Sequence, residues 1–298
     1  MKYLNLFILA LSLSISSCSS VKKDELFEDS SIVVSSYQLD YQDLYYYQKM
    51  DESRASIYDK TEAYSIRYLS EGLKIHGYLA KPKQIDKPLP LVVYCRGGNR
   101  DFGEITDEGA LSLAGMASNG YVVLASNYGG SKQSEGVDEF GGKEVKDVIN
   151  LLDLAKDFPF IDTTNILFFG ESRGGLMVYQ ALKEQRENKN IRAAVLVASP
   201  TDLELAFRNR AEMEGLVRVL VPNYSNEKES AIQMRSVLNW VEELPKHVPI
   251  LLLHGDADKR VSVEHSIKLA EQLKVLNHPY KLKIYKGGYH SFLHSETL

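Results

Sequence analysis

From residue 89 onward, short and nearly continuous apolar runs alternate with amphipathic stretches, and few folds accept that pattern. The runs at 89–94, 121–126, 166–169, 193–198, 249–253 and 280–285 are of strand length. They lack the in-and-out alternation of a sheet with one wet face, so they read as strands buried on both sides. Helical spacing appears between them, at 110–118, 144–157, 176–185 and 263–276. In the second of these, Val145, Val148, Ile149, Leu152 and Leu154 suit one helix face. Doubly buried strands need helices on both faces, and parallel neighbours need crossover connections. The expected fold is therefore α/β, with a mostly parallel central sheet. Residues 63–69 and 73–79 do alternate, around Glu71-Gly72, which predicts an antiparallel hairpin leading into that sheet. Residues 202–247 interrupt the alternation with charged helical sequence, as an insertion or lid over the strand ends would. Within it an apolar run (Val217, Val219, Leu220, Val221) and Trp240 either wall a substrate pocket or anchor the insertion to the core. No second linker divides the region, so 61–298 reads as one domain.

The first sixty residues read differently. Met1-Lys2 is followed by an apolar stretch at 4–15 and then Ser16-Ser17-Cys18, the layout of a secretory signal over 1–17. That stretch is too short for a permanent membrane span. Ile15-Ser16-Ser17-Cys18 resembles the bacterial lipoprotein box, in which the cysteine becomes the lipidated first residue. The expectation is a lipid anchor on Cys18, holding the protein to a membrane of the bacterial cell envelope on its non-cytoplasmic face. Residues 18–60 then form a tether and an N-terminal extension: 19–29 are small and charged, as a flexible tether would be, and the tyrosine-rich stretch 31–60 fits no single element. Only one other cysteine exists, Cys95, so a lipidated Cys18 leaves no intramolecular disulfide. A net charge of −5 and the absence of a basic stripe argue against a nucleic-acid partner.

Gly170-Glu171-Ser172-Arg173-Gly174-Gly175 sits between a predicted strand and a predicted helix. That context turns a common short pattern into a candidate nucleophile, because a sharp strand-to-helix turn lifts the serine above the sheet. A serine hydroxyl also needs a base and a group to orient that base. Both kinds of residue follow at later strand ends: His254-Gly255-Asp256-Ala257-Asp258 after one, Gly288-Tyr289-His290 after the other. Strand C-termini converge on one side of an open α/β sheet, so these positions can meet there.

With Arg96-Gly97-Gly98, Asn127-Tyr128-Gly129-Gly130-Ser131 and Ser199-Pro200-Thr201-Asp202, these motifs in this order resemble the catalytic domain of the prolyl oligopeptidase family within the α/β-hydrolases. The resemblance runs from about residue 64 to the C-terminus. It implies a catalytic triad of Ser172, Asp258 and His290. Asp256, His254 and His294 are the alternatives it sets aside; Asp256 is left to shape a turn and His254 to a structural role at a strand end. It also implies an oxyanion hole made by the backbone N–H groups of Gly98 and Arg173. The family usually has His at the position of Arg96 and often Pro at that of Asn99. The contribution there is backbone, and Arg96 itself is expected to form a salt bridge under the loop. No metal-ligand spacing occurs and no cofactor is implied.

The chemistry expected is cleavage of a peptide amide or small ester through an acyl-enzyme. Peptidases of this family carry a β-propeller ahead of the catalytic domain, for which the roughly forty mature residues before the hairpin leave no room; this keeps a carboxylesterase in view. A surface lipoprotein that binds ligands without chemistry is the reading of another class.

Overall fold

The computed structural model describes residues 23–290. Its elements follow in the order β1 (Val33–Gln38), α1 (Tyr45–Gln48), α2 (Glu52–Tyr58), β2 (Thr61–Ser70), β3 (Leu73–Pro82), β4 (Leu89–Cys95), α3 (Ala110–Ala117), β5 (Val122–Ser126), α4 (Val145–Leu154), β6 (Ile161–Glu171), α5 (Arg173–Glu184), β7 (Ile191–Val197), α6 (Leu203–Asn209), α7 (Glu212–Leu220), α8 (Lys228–Arg235), β8 (Ile250–Gly255), α9 (Glu264–Val275) and β9 (Tyr280–Tyr285). The strands form one sheet in the order β1-β2-β3-β5-β4-β6-β7-β8-β9. β1, β2 and β3 pair antiparallel and β3 joins β5 antiparallel. From β5 to β9 every pairing is parallel. This is the expected α/β-hydrolase architecture, and the predicted hairpin is β2–β3.

The apolar runs behave as doubly buried strands. In β4, Leu91, Val93 and Cys95 enter the core beneath α4 and α5, while Val92 and Tyr94 face the core that holds Leu113 and Ala117 of α3. β5 splits the same way, Val122 and Leu124 to one side and Val123 and Ala125 to the other. Period-2 geometry thus divides a uniformly apolar run between two cores.

The N-terminal stretch is more ordered than its composition suggests. Asp24 caps a 3-10 turn over Glu25–Phe27. Phe27 is fully buried, edge-on to both Tyr64 and Phe158. Residues 24–29, read from sequence as part of a flexible tether, are therefore docked on the domain. β1 extends the sheet beyond the hairpin, and Tyr47 packs with Leu44 and Leu111 against α3. Cys18 and His294 lie outside the described residues.

The topology also fixes where a site can form. The chain leaves β4 for β5 and then returns across β4 to β6. The loops after β4 and β6 therefore diverge from neighbouring strand ends, where open α/β sheets bind ligands.

Candidate active site

The turn after β6 is a single residue, Ser172, at φ 52° and ψ −125°. A non-glycine residue pays about 1–3 kcal/mol to sit in so sparse a region, and must be held there. Its N–H donates to the Val197 carbonyl at 2.8 Å, and its own carbonyl accepts from the Gly175 N–H at 2.9 Å. The motif glycines are needed for close approach. A Cβ on Gly170 would lie 2.7 Å from the Gly174 carbonyl oxygen, and one on Gly174 only 1.9 Å from that of Cys95. Helix α5 starts directly at Arg173, three residues earlier than its apolar spacing suggests. The Arg173 N–H thus belongs to the first turn, where no intrahelical acceptor exists.

Asp258 follows β8 and His290 follows β9. The structure brings them together, with His290 Nδ1 2.7 Å from Asp258 Oδ2. The other carboxylate oxygen accepts the Arg260 and Val261 N–H groups at 2.8 and 3.0 Å. Burial opposes the charge on Asp258. The hydrogen bonds from His254, His290 and the Val261 N–H outweigh it and hold the carboxyl well below the usual carboxylate range.

The competing residues have other work. His254 is fully buried; its Nδ1 lies 2.7 Å from Ser266 Oγ and its Nε2 2.9 Å from the Val261 carbonyl, with Asp258 Oδ2 at 3.4 Å. It ties the end of β8 to α9 and to the loop carrying Asp258. Asp256 is exposed and accepts the Gly287 N–H at 2.6 Å, which shapes the loop that presents His290.

Ser172 and His290 line one cavity of about 280 Å³, together with Gly97, Gly98 and Glu171. Gly98, at φ 76°, is confined to glycine because a Cβ there would lie 1.9 Å from the Phe102 carbonyl oxygen. Its N–H makes no hydrogen bond among the described residues. Glu171 accepts from the Tyr94 hydroxyl at 2.9 Å on the cavity wall.

Arg96 departs from expectation. It forms no salt bridge among the described residues; it is almost wholly buried and donates to carbonyl oxygens only. Those are Asn127 (2.7 Å from Nη2), Arg100 (2.7 Å), Gly97 (3.0 Å) and Phe102 (3.2 Å). The ion pairs belong instead to the Arg173 side chain, which binds Asp138 at 2.8 Å and Glu144 at 2.6 Å, all three buried. Both guanidiniums lie over the Tyr128 ring, that of Arg96 5.1 Å and that of Arg173 5.4 Å from its centroid. Nothing in the sequence announces this network, because single acids in a glycine-rich loop have no periodicity to read.

The insertion also behaves differently from one of its two readings. Among the described residues, none between 202 and 247 lines the cavity; its apolar lining includes Phe102, Ile105 and Leu113. Trp240 is core: its indole N–H donates to the Gln233 carbonyl at 3.1 Å and Lys183 sits 4.5 Å over its ring. Val219, counted in the apolar run, is exposed.

Comparison with known proteins agrees with the fold. The prolyl oligopeptidase family matches residues 110–297. The uncharacterised peptidase YtmA of Bacillus subtilis is 29% identical over 229 residues, covering 77% of this chain and 86% of the relative. Dipeptidyl-peptidase 5 of Porphyromonas gingivalis is 25% identical over 244 residues, covering 76% of this chain but 34% of its own length. Among solved structures, a puromycin-hydrolysing peptidase of Mycobacterium tuberculosis superposes with a TM-score of 0.65 at 23% identity, over 76% of this chain and 36% of that one.

Proposed function

The chain belongs to the prolyl oligopeptidase family, and on that premise we propose that it is a serine peptidase that cleaves short peptide amides through an acyl-enzyme, with Ser172, His290 and Asp258 as its triad. The observation that carries the residue roles is the 2.7 Å contact of His290 Nδ1 with Asp258, on the same cavity as Ser172. With Nδ1 engaged by the carboxylate, Nε2 is the nitrogen left to take the serine proton. Ser172 Oγ then attacks the scissile carbonyl, and the charge that develops on its oxygen falls to the Gly98 and Arg173 N–H groups. His290 returns the proton to the leaving amine, and water releases the acyl group by the same steps in reverse order. Asp258 stays ionised throughout and steadies the imidazolium. Peptide substrates are supported by the names of the relatives, peptidase for the Bacillus protein and dipeptidyl-peptidase for that of Porphyromonas.

A fluorophosphonate probe and a substrate panel test this together. The probe should label the wild type and spare Ser172→Ala, and aminoacyl or dipeptidyl anilides should be turned over. Labelling with hydrolysis of p-nitrophenyl esters alone would make the protein a carboxylesterase; no labelling would make it a binding protein.

We further propose that Cys18 carries lipid and holds the enzyme to a membrane of the bacterial envelope, on its non-cytoplasmic face. The pattern of residues 1–18 supports this. Cys18→Ser should free the protein from the membrane fraction or leave the precursor uncleaved; unchanged partition and mass would remove the anchor.

A further inference from the structure

We infer that the side chains of Arg96 and Arg173 act as positioning residues for the oxyanion hole, by fixing the two successive peptide planes on either side of Gly98. This rests on the serine hydrolase reading above and extends it to groups that never touch substrate.

The first plane joins Gly97 to Gly98. Arg96 Nη1 donates to the Gly97 carbonyl at 3.0 Å. A trans peptide is planar, with its C=O and the next N–H pointing in opposite directions. Holding the Gly97 carbonyl against the buried guanidinium therefore turns the Gly98 N–H away from it, on a loop where Gly97 and Gly98 line the same cavity as Ser172 of the β6–α5 turn. The second plane joins Gly98 to Asn99. Arg173 Nη1 donates to the Gly98 carbonyl at 3.2 Å. One residue thus offers its backbone N–H as the first donor and uses its side chain to set the loop of the second.

Both guanidiniums are themselves fixed. Asp138 and Glu144 hold Arg173, and Asp138 also accepts the Arg100 N–H at 2.7 Å from the same loop. Arg96 spans the loop from Gly97 to Phe102 and ties it to the Asn127 carbonyl after β5. The Tyr128 hydroxyl closes the set by donating to the Arg96 carbonyl at 3.1 Å. Such a scaffold suits a donor that must be aimed before the charge appears, since an oxyanion hole works only when it need not reorganise. A glycine pair has no side chains with which to hold itself, so the aim must come from neighbours.

The test is Arg96→Lys, which keeps the charge but has a single nitrogen and cannot bridge several carbonyls at once. In a variant that folds, kcat for an anilide should fall about ten- to a hundredfold with KM little changed, since removing one oxyanion donor costs at least that much. A peptidyl trifluoromethyl ketone, which forms the tetrahedral adduct, should lose affinity by the same factor, while a ground-state product inhibitor should not. Asp138→Asn is the second variant. It weakens the hold on Arg173, and on the Arg100 N–H of the same loop, while leaving the Arg96 side chain in place, and should show the same split between kcat and KM. Equal losses for the ketone and the product inhibitor, or a pure rise in KM, in a variant of wild-type melting temperature would overturn the inference. Should Arg96→Lys fail to fold, an Asp138→Asn enzyme with unchanged kcat would overturn it alone. A wild type that neither labels with fluorophosphonate nor hydrolyses any substrate would instead sink the underlying reading, and the inference with it.

Discussion

Two regions rise from the C-terminal ends of the strands, and they are held by different physics. Loops 96–105 and 127–144 are built from buried charge and directional bonds: Arg96 on carbonyl oxygens, Arg173 on two carboxylates, Asn127 on both the N–H and the carbonyl of Ile105. Their backbone is forced, with Gly98, Arg100, Tyr128 and Phe140 all at positive φ. The insertion at 202–247 is held mainly by apolar burial, with one buried guanidinium, Arg235 at the end of α8, donating to the Glu139 and Phe140 carbonyls of the first region. Leu203, Leu205, Val217, Leu220 and Trp240 face inward, and pairs such as Lys228 with Glu214 stay at the surface. Apolar packing tolerates a shift of some tenths of an ångström, whereas a multiply hydrogen-bonded buried guanidinium does not. The first kind of support is found beside the candidate reacting atoms and the second away from them. Sequence periodicity detects only the second, which is why the apolar residues of the insertion fit a pocket wall as well as an anchor to the core.

The sharpest way to break this comparison is to ask where activity resides. Ser172→Ala or His290→Ala should each lower kcat by about 10⁴- to 10⁶-fold, and the double variant little further, because members of one catalytic unit are not additive. Asp258→Asn should cost about 10⁴-fold. Asp256→Asn removes only the bond to the Gly287 N–H and should keep most of the rate. Should Asp256→Asn prove the more damaging of the two, the acid would be misassigned.

Trp240→Ala sharpens the other side. Removing so large a buried side chain costs about 3–5 kcal/mol, so a substantial fall in melting temperature is expected. Substrate ranking should not change, since Trp240 does not line the cavity. A changed order of preference among anilides and esters in a still-folded variant would return the insertion to the role of specificity wall.

The same contrast explains what the sequence made legible. The α/β pattern, the hairpin, the strand-to-helix turn at Ser172 and the placing of Asp258 and His290 after two strands follow from local runs and motif order. The start of α5 at Arg173 was missed because the first helical turn, Arg173-Gly174-Gly175, carries no apolar periodicity. β1 was missed because its edge position leaves a polar sequence, Val33–Gln38, with little to mark it. Arg96 was read as a salt bridge partner because arginine normally pairs with acids; only the fold shows a cage of carbonyls around it.

Acid pH probes the footing of both regions at once, through one buried histidine packed beside each, His76 of β3 and His265 of α9. His76 lies between Ser65 Oγ and the Asn127 side chain at 2.9 and 3.0 Å. His265 Nδ1 accepts the Thr201 N–H at 3.1 Å, at the root of the insertion. Burial pushes each down to about 4; the Arg67 charge adds to this for His76, while for His265 Asp202 opposes it and Arg208 adds to it. Between pH 6.5 and 4 the unfolded chain therefore takes up protons that the folded chain refuses. Stability contributed by neutral burial is full above about pH 6.5 and is lost as pH falls toward 4, by at most about 1.4 kcal/mol per pH unit for each group. His76→Gln and His265→Gln should each flatten the slope of stability against pH over that window by a similar amount. A slope unchanged in both would show that neither ring resists protonation.

The smallest effect concerns Phe102, which lies in the rigid region yet has a free side chain. Its backbone is locked, exchanging hydrogen bonds with Asn99 at 3.0 and 2.9 Å, while 59% of the residue remains exposed. The residue lines the cavity, and its ring lies under the Arg260 guanidinium at 5.3 Å. Phe102→Ala deletes the ring and keeps every backbone bond, so stability should change by no more than about 0.5–1 kcal/mol, the worth of an exposed cation–π contact. Specificity is the sensitive readout. Anilides with bulky apolar acyl groups should lose several-fold in kcat/KM relative to small ones, because only they reach this wall. An equal change for large and small acyl groups would mean that the region positions the chemistry without selecting the substrate, and the selecting surface would have to be sought elsewhere on the cavity, at Ile105 and Leu113.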